Sequence, residues 1–334
     1  MITGLSWLRQ FTCLGEGKLR SVHSYLQIRA NRHFLSAMEL PDKPATPIFI
    51  IGPPRCGSTL LYQAMVHCFD LCFFTNEMMR RPAQVPMNIH YRRLGLAPGS
   101  SFQSNYGQTD GDRSPHEGYP FWRRFYPRNE HDYVERHCLS DAEVEEMRST
   151  VKFMEHHYGS PFLSKNIENA LRIKSLSVVY PEALYIVLKR DPRAIAISIL
   201  SGRMKLREDK KDWFGMRPIN YSNLVDLPIA NQIAEQILQA YDSFYSDVET
   251  DRVFELYYED FCKSPEALIE QIGSYLNGRK IRVKKTGGLL PRSFPLGDSS
   301  DLDSDALEDF TKALKSNPAL GRNLQFRSNE RQDE

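Results

Sequence analysis

Apolar residues fall along the chain in short continuous runs rather than in alternation with polar ones. Ile48-Phe49-Ile50-Ile51 is the first and Ala183–Leu188 the second clear one, while Phe254–Tyr258, interrupted by Glu255, reads as a further short strand. Such runs read as strands buried on both faces, which is the habit of a parallel sheet. Helical stretches follow them, from Ser58 to about Cys68, after Pro192, and around Pro265–Leu276. Strand followed by helix, repeated, predicts an α/β fold with a central parallel sheet flanked by helices. Leu71–Thr75 is a further apolar run. Residues 95–135 are rich in glycine, proline and aromatics, and read as a long loop or lid over a site.

The two ends look different. Residues 1–40 are expected to be helical, with Leu5, Trp7, Leu8 and Phe11 able to line one face. Five basic residues there (Arg9, Lys18, Arg20, Arg29, Arg32) against Glu16 and Glu39 suit a helix docked on the core, or a peripheral membrane contact. Pro41, Pro44 and Pro47 mark a linker. The expected organisation is an N-terminal helical extension and linker at 1–46, a main domain at 47–297 with an inserted loop region at 81–160, and an acidic helix and tail at 298–334. No internal repeat is found.

Composition narrows the classes. The 334 residues are 41% hydrophobic, enough for a sizeable core. Lys+Arg at 43 against Asp+Glu at 42 leaves a net charge of +1, which argues against a generally basic nucleic-acid binder and against an acidic disordered chain. The six cysteines, at 13, 56, 68, 72, 138 and 262, form no C-x-x-C pair and read as reduced thiols. Arg9, Glu16 and Lys18 interrupt any signal-peptide core, and no apolar run spans a bilayer, so a cytoplasmic protein is expected. His156-His157 has no partner at metal-ligand spacing.

Chemistry concentrates after the first strand. Gly52-Pro53-Pro54-Arg55-Cys56-Gly57-Ser58-Thr59 has the G-x-x-x-x-G spacing of a phosphate-cradling loop. Glycines let backbone N–H groups turn toward one anion, and the following helix adds its dipole. Ser58 stands where a nucleotide triphosphatase carries lysine, and the cation comes earlier, at Arg55. That departure weakens a kinase reading. A second constellation follows the strand at 183–188. Arg190 sits at its carboxyl end, Asp191-Pro192 suits a helix start, and Ser198 comes eight residues after Arg190. A guanidinium and a hydroxyl so placed can clamp one phosphate.

Taken together, Ile-Gly-Pro-Pro-Arg-Cys-Gly-Ser-Thr-Leu-Leu at 51–61 and the Arg190/Ser198 pair resemble the sulfotransferases that use 3′-phosphoadenosine-5′-phosphosulfate, with Cys56 in place of Ser and Ser58 in place of Thr. Phe162–Asn166, Tyr180-Pro181 and Tyr257–Phe261 extend the likeness, which is greatest to the tyrosylprotein and bacterial types. The resemblance implies a P-loop-like sulfotransferase fold. It also implies in-line transfer of a sulfonate from that co-substrate to an acceptor hydroxyl or amine, without a metal. Arg55, Cys56, Gly57, Ser58, Thr59 and Leu60 would hold the 5′ end, Arg190 and Ser198 the 3′-phosphate. Arg203 and Lys285, the latter in a basic, glycine-containing stretch, are further candidates. Lys165 would steady the bridging oxygen. Glu77, beside Phe73 and Phe74, would take the acceptor proton, with His116, Glu117 and His90 as the other candidate bases. The acceptor, whether carbohydrate, lipid, peptide or small molecule, is not legible, and no nucleic-acid partner is expected. A P-loop kinase and a non-catalytic nucleotide-binding protein are the alternatives.

Overall fold

In a computed structural model, residues 16–97, 101–103, 107–206, 213–296 and 304–316 are described. Four strands, β1 (Ile48–Ile51), β2 (Leu163–Lys165), β3 (Leu184–Lys189) and β4 (Val253–Tyr257), form one all-parallel sheet in the order β2-β1-β3-β4. β1 is wholly buried and β3 nearly so, which explains why both are apolar without alternation. Phe49 on β1 stands opposite Tyr185 on β3, and their rings stack at 5.9 Å. Every strand therefore delivers its carboxyl end to the same edge of the sheet, where open α/β sheets place their ligands.

The helices, in chain order, are α1 (Glu16–Ala37), α2 (Ser58–Cys68), α3 (Val85–Arg92), α4 (Tyr119–Phe125), α5 (Asp141–Tyr158), α6 (Ile173–Val179), α7 (Pro192–Leu206), α8 (Tyr221–Leu224), α9 (Ile229–Asp247), α10 (Tyr258–Lys263), α11 (Pro265–Gly278) and α12 (Ser304–Lys315). α2 begins and ends where the sequence predicts. α5 starts with a capping box, Ser140 and Glu143 bonding reciprocally. α9 packs on the sheet through Phe244 against Tyr185, and its Tyr241 hydroxyl donates to the Leu188 carbonyl at 2.9 Å. α12 is amphipathic and buries Phe310 and Leu314.

Two expectations change. Leu71–Thr75 is not a sheet strand: it makes only single bridges, Cys72 to Phe162 and Thr75 to Pro115. The 81–160 stretch is not a loop, since it carries α3, α4 and α5. α1 docks on this helical layer through Phe34 and Leu35, and Arg32 donates at 2.7 Å to the buried Glu146, which Arg124 also holds at 2.5 Å. The face expected from Leu5, Trp7, Leu8 and Phe11 lies outside the described residues, as does Cys13. The other five cysteines are free thiols. No helix among the described residues is long and apolar enough to cross a membrane.

Candidate active site

A cavity of about 720 Å³ opens at the carboxyl edge of the sheet. The loop between β1 and α2 forms its floor. Gly57 caps α2 in the left-handed region (φ 94°) without a side-chain cap, so the N–H groups of the first turn beyond Ser58, whose backbone meets the buried Cys56 thiol, are open to an anion. Only glycine fits here: a Cβ would lie 2.1 Å from the Tyr258 ring. Arg55 also adopts positive φ (67°). Its Nε donates to Ser198 at 2.9 Å, and Arg190 donates to the Arg55 carbonyl at 2.8 Å. Arg190 lies over the Tyr258 ring at 4.5 Å, and its Nε is buried without a hydrogen-bond partner. Asp191 caps α7 by accepting from Arg193 N at 2.8 Å, as its position before Pro192 predicts.

β2 supplies the next wall. Lys165, at the strand's end and almost fully buried, pairs with Glu117. Glu117 comes from the segment that crosses the mouth of the cavity. That segment is clamped to residues 74–77: His116 N donates to Phe74 O at 2.7 Å, Asn76 N to Ser114 O at 3.2 Å, and Glu77 N to Asp112 O at 2.8 Å. Gly107 (φ 93°) closes over the ion pair, where a Cβ would meet Glu117 Oε1 at 2.4 Å. The other oxygen, Glu117 Oε2, is buried with no hydrogen-bond partner. Burial, then the Glu117 charge, pushes the neighbouring Tyr119 phenol well above its ordinary range. His116 accepts from Gly118 N at 2.8 Å through Nδ1. A backbone N–H can only donate, so Nδ1 carries the lone pair and Nε2 the proton. Burial also lowers the His116 pKa to about 4.

Beyond Lys165, the short helical turn Ile167–Leu171 presents Glu168, whose side chain is wholly buried. Arg123 and Arg128 both donate to Glu168 Oε1, at 2.5 and 2.7 Å, and Arg172 donates to Oε2 at 2.5 Å. Burial alone would raise this carboxyl, but the three guanidinium groups hold it below its ordinary value. Arg128 is further fixed by Asp132, at 2.9 Å to each oxygen.

The structure thus brings Arg55, Gly57, Ser58, Thr59, Leu60, Arg190, Lys165, His116 and Glu117 to one cavity. Cys56 is wholly buried, and Ser198 reaches the site through Arg55. Others do not line it. Glu77 is drawn aside by Arg92, which donates to it at 2.8 Å. His90 packs on Phe34 and Tyr91. Arg203 is buried against Trp213 and donates to Gln232 at 2.7 Å, and burial lowers its pKa to about 10. Lys285 is exposed and pairs with Glu270. Sequence reasoning missed Arg123, Arg128 and Glu168. The one local signal is the position of Glu168, three residues after Lys165.

A parallel sheet with an uncapped glycine loop at the first strand's end, and cations at the ends of the two adjacent strands, defines a phosphate-loop α/β protein. A family model described as "Sulfotransferase family" matches residues 47–279, and the chain belongs to that family. Its curated relatives include omega-hydroxy-beta-dihydromenaquinone-9 sulfotransferase Stf3 from Mycobacterium bovis and from Mycobacterium tuberculosis, each 23% identical over 252 residues, 69% of this chain. The chain spans 62% of the length of those relatives. Sulfotransferase STF1 from Mycobacterium tuberculosis H37Rv matches in fold, with a TM-score of 0.52 at 12% identity over 90% of this chain and 81% of that one. The fold is the P-loop-like sulfotransferase fold.

Proposed function

We propose that this transferase takes 3′-phosphoadenosine-5′-phosphosulfate as donor and passes its sulfonate to an acceptor hydroxyl, with Glu117 as the base. The observation that carries the reading is a single cavity where an uncapped helix N-terminus, Arg55, Arg190 and Lys165 gather with the buried carboxylate of Glu117. The donor supplies a sulfonate on a phosphate leaving group; the chain's residues hold and neutralise it. The loop N–H groups with Ser58 and Thr59 suit the 5′ side. Arg190, with an unpartnered buried Nε, suits the 3′-phosphate, with Ser198 beside it.

Lys165 holds Glu117 Oε1, and Oε2, on the carboxylate beside the Tyr119 hydroxyl, would take the acceptor proton. As that proton arrives, the carboxylate loses its charge and its grip on Lys165. The ammonium is then available to the oxygen that leaves, so proton removal and leaving-group neutralisation are linked through one ion pair. His116, with its proton on Nε2, is a donor and not the base. Glu77, already bonded to Arg92 outside the cavity, is not the base in this reading.

The test is thermal. Adenosine 3′,5′-bisphosphate at 100 times its Kd should stabilise the protein by about 2.7 kcal/mol, with ATP–Mg giving much less. Stabilisation by ATP–Mg alone, with phosphate transfer, would replace this reading with the kinase one.

A further inference from the structure

Building on the donor assignment above, we infer that the acceptor carries a carboxylate besides its reacting hydroxyl, and that Arg123 and Arg128 bind it. The two guanidinium groups converge on one oxygen of Glu168, so they stand side by side on the cavity wall. Their anchors are fully withdrawn from solvent: the side chains of Glu168 and Asp132 are 0% exposed and Arg172 is 1% exposed. Arg123 and Arg128 keep 40% and 28% of their side-chain surface open, and both line the cavity. The cluster of three guanidinium groups and two carboxylates has one positive charge in excess, and the excess faces the cavity. One monoanion matches it.

The position belongs to the acceptor rather than the donor. Arg190 stands at the end of β3, and the phosphate loop at the end of β1. The arginine pair is tied to Glu168, just after the edge strand β2, beyond Lys165 and Glu117. A donor laid from the loop toward Arg190 would follow β1 to β3, on the side of β1 away from β2, while Arg128 reaches back toward the loop only through its 3.2 Å bond to the Gly215 carbonyl. Two arginines fixed by a buried carboxylate are also pre-organised, so they meet a carboxylate without first being ordered.

The experiment compares matched acids and amides on the protein held with saturating adenosine 3′,5′-bisphosphate. para-Hydroxybenzoate is set against para-hydroxybenzamide, and ω-hydroxydodecanoate against ω-hydroxydodecanamide, by calorimetry. At least one acid should bind tenfold or more tightly than its amide. Arg123→Gln should erase that difference, Arg123→Lys should restore part of it, and neither should move bisphosphate affinity more than twofold. Equal binding of acid and amide in both pairs, no binding by any of the four, or a preference that survives Arg123→Gln would overturn the inference while leaving the donor assignment intact. Failure of the bisphosphate itself to bind would remove the donor assignment, and this inference with it.

Discussion

Two carboxylates compete for the role of base, and their surroundings separate them. Glu77 spends its charge on Arg92 at the surface side of the 74–77 segment, whereas Glu117 is buried against Lys165 with one oxygen unpartnered. Glu117→Gln should therefore lower kcat by about 10²–10⁴, the usual worth of general-base catalysis, with bisphosphate affinity changed less than threefold. Glu77→Gln should stay within about threefold of the wild type. Single-turnover kinetics with the donor checks both, and the opposite ranking would return the role to Glu77. Arg190→Ala should weaken adenosine 3′,5′-bisphosphate by roughly 1.5–3 kcal/mol, the range for hydrogen bonds to charged groups, and 5′-adenylate far less. Equal losses would show that Arg190 does not read the 3′-phosphate. His116 gives no limb to a pH–rate profile between about pH 5 and 8, because burial holds its pKa near 4.

At the scale of elements, the loop and its helix were legible in the sequence because their chemistry is local. Gly52, Gly57 and the apolar run before them specify the turn within a dozen residues, and α2 has the predicted ends. Arg190 was legible for the same reason, standing at a strand end beside Asp191-Pro192. The base was not. Choosing between Glu77 and Glu117 depends on which way the 107–118 segment lies across Phe74–Glu77, a pairing between pieces some forty residues apart that no local pattern encodes. Apolar content likewise misled at Leu71–Thr75: those residues are buried, but under the crossing segment rather than within the sheet. Arg203 and Lys285, basic residues near the motifs, are bonded to Gln232 and Glu270 away from the cavity. The loop's dependence on Gly57 is itself testable. Gly57→Ala drives a methyl into the Tyr258 ring in a backbone region that costs alanine about 1–2 kcal/mol before any clash. Bisphosphate binding should fall sharply in Gly57→Ala while the far-ultraviolet circular dichroism is kept, and wild-type affinity in that variant would contradict the close packing.

Across the whole molecule, one carboxylate joins the helical layer to the sheet. Glu155, on α5, accepts from the N–H of Thr46, just before β1, at 3.3 Å, and from that of Phe162, just before β2, at 3.2 Å. Burial raises its pKa to about 7 from an ordinary 4.5, outweighing the two N–H donors and Lys43, which favour the charge. The folded state therefore binds a proton that the unfolded chain releases between about pH 4.5 and 7. Its contribution to stability is fully present below pH 4.5 and is lost as pH rises through 7. A shift of this size is worth at most about 3 kcal/mol, or several degrees in Tm. His116 runs the other way: its lowered pKa favours the folded state above pH 6.5, and that contribution falls away as pH drops toward 4. The Tm of wild type alone would mix the two. The difference between wild type and Glu155→Gln isolates the carboxylate, because glutamine does not titrate and any hydrogen bond it loses is a constant offset. That difference should shift against wild type by several degrees between pH 4.5 and 8, with most of the change centred between the two pKa values. A difference that stays flat over this range would mean that Glu155 is charged at neutral pH and that the two backbone N–H groups outweigh its burial.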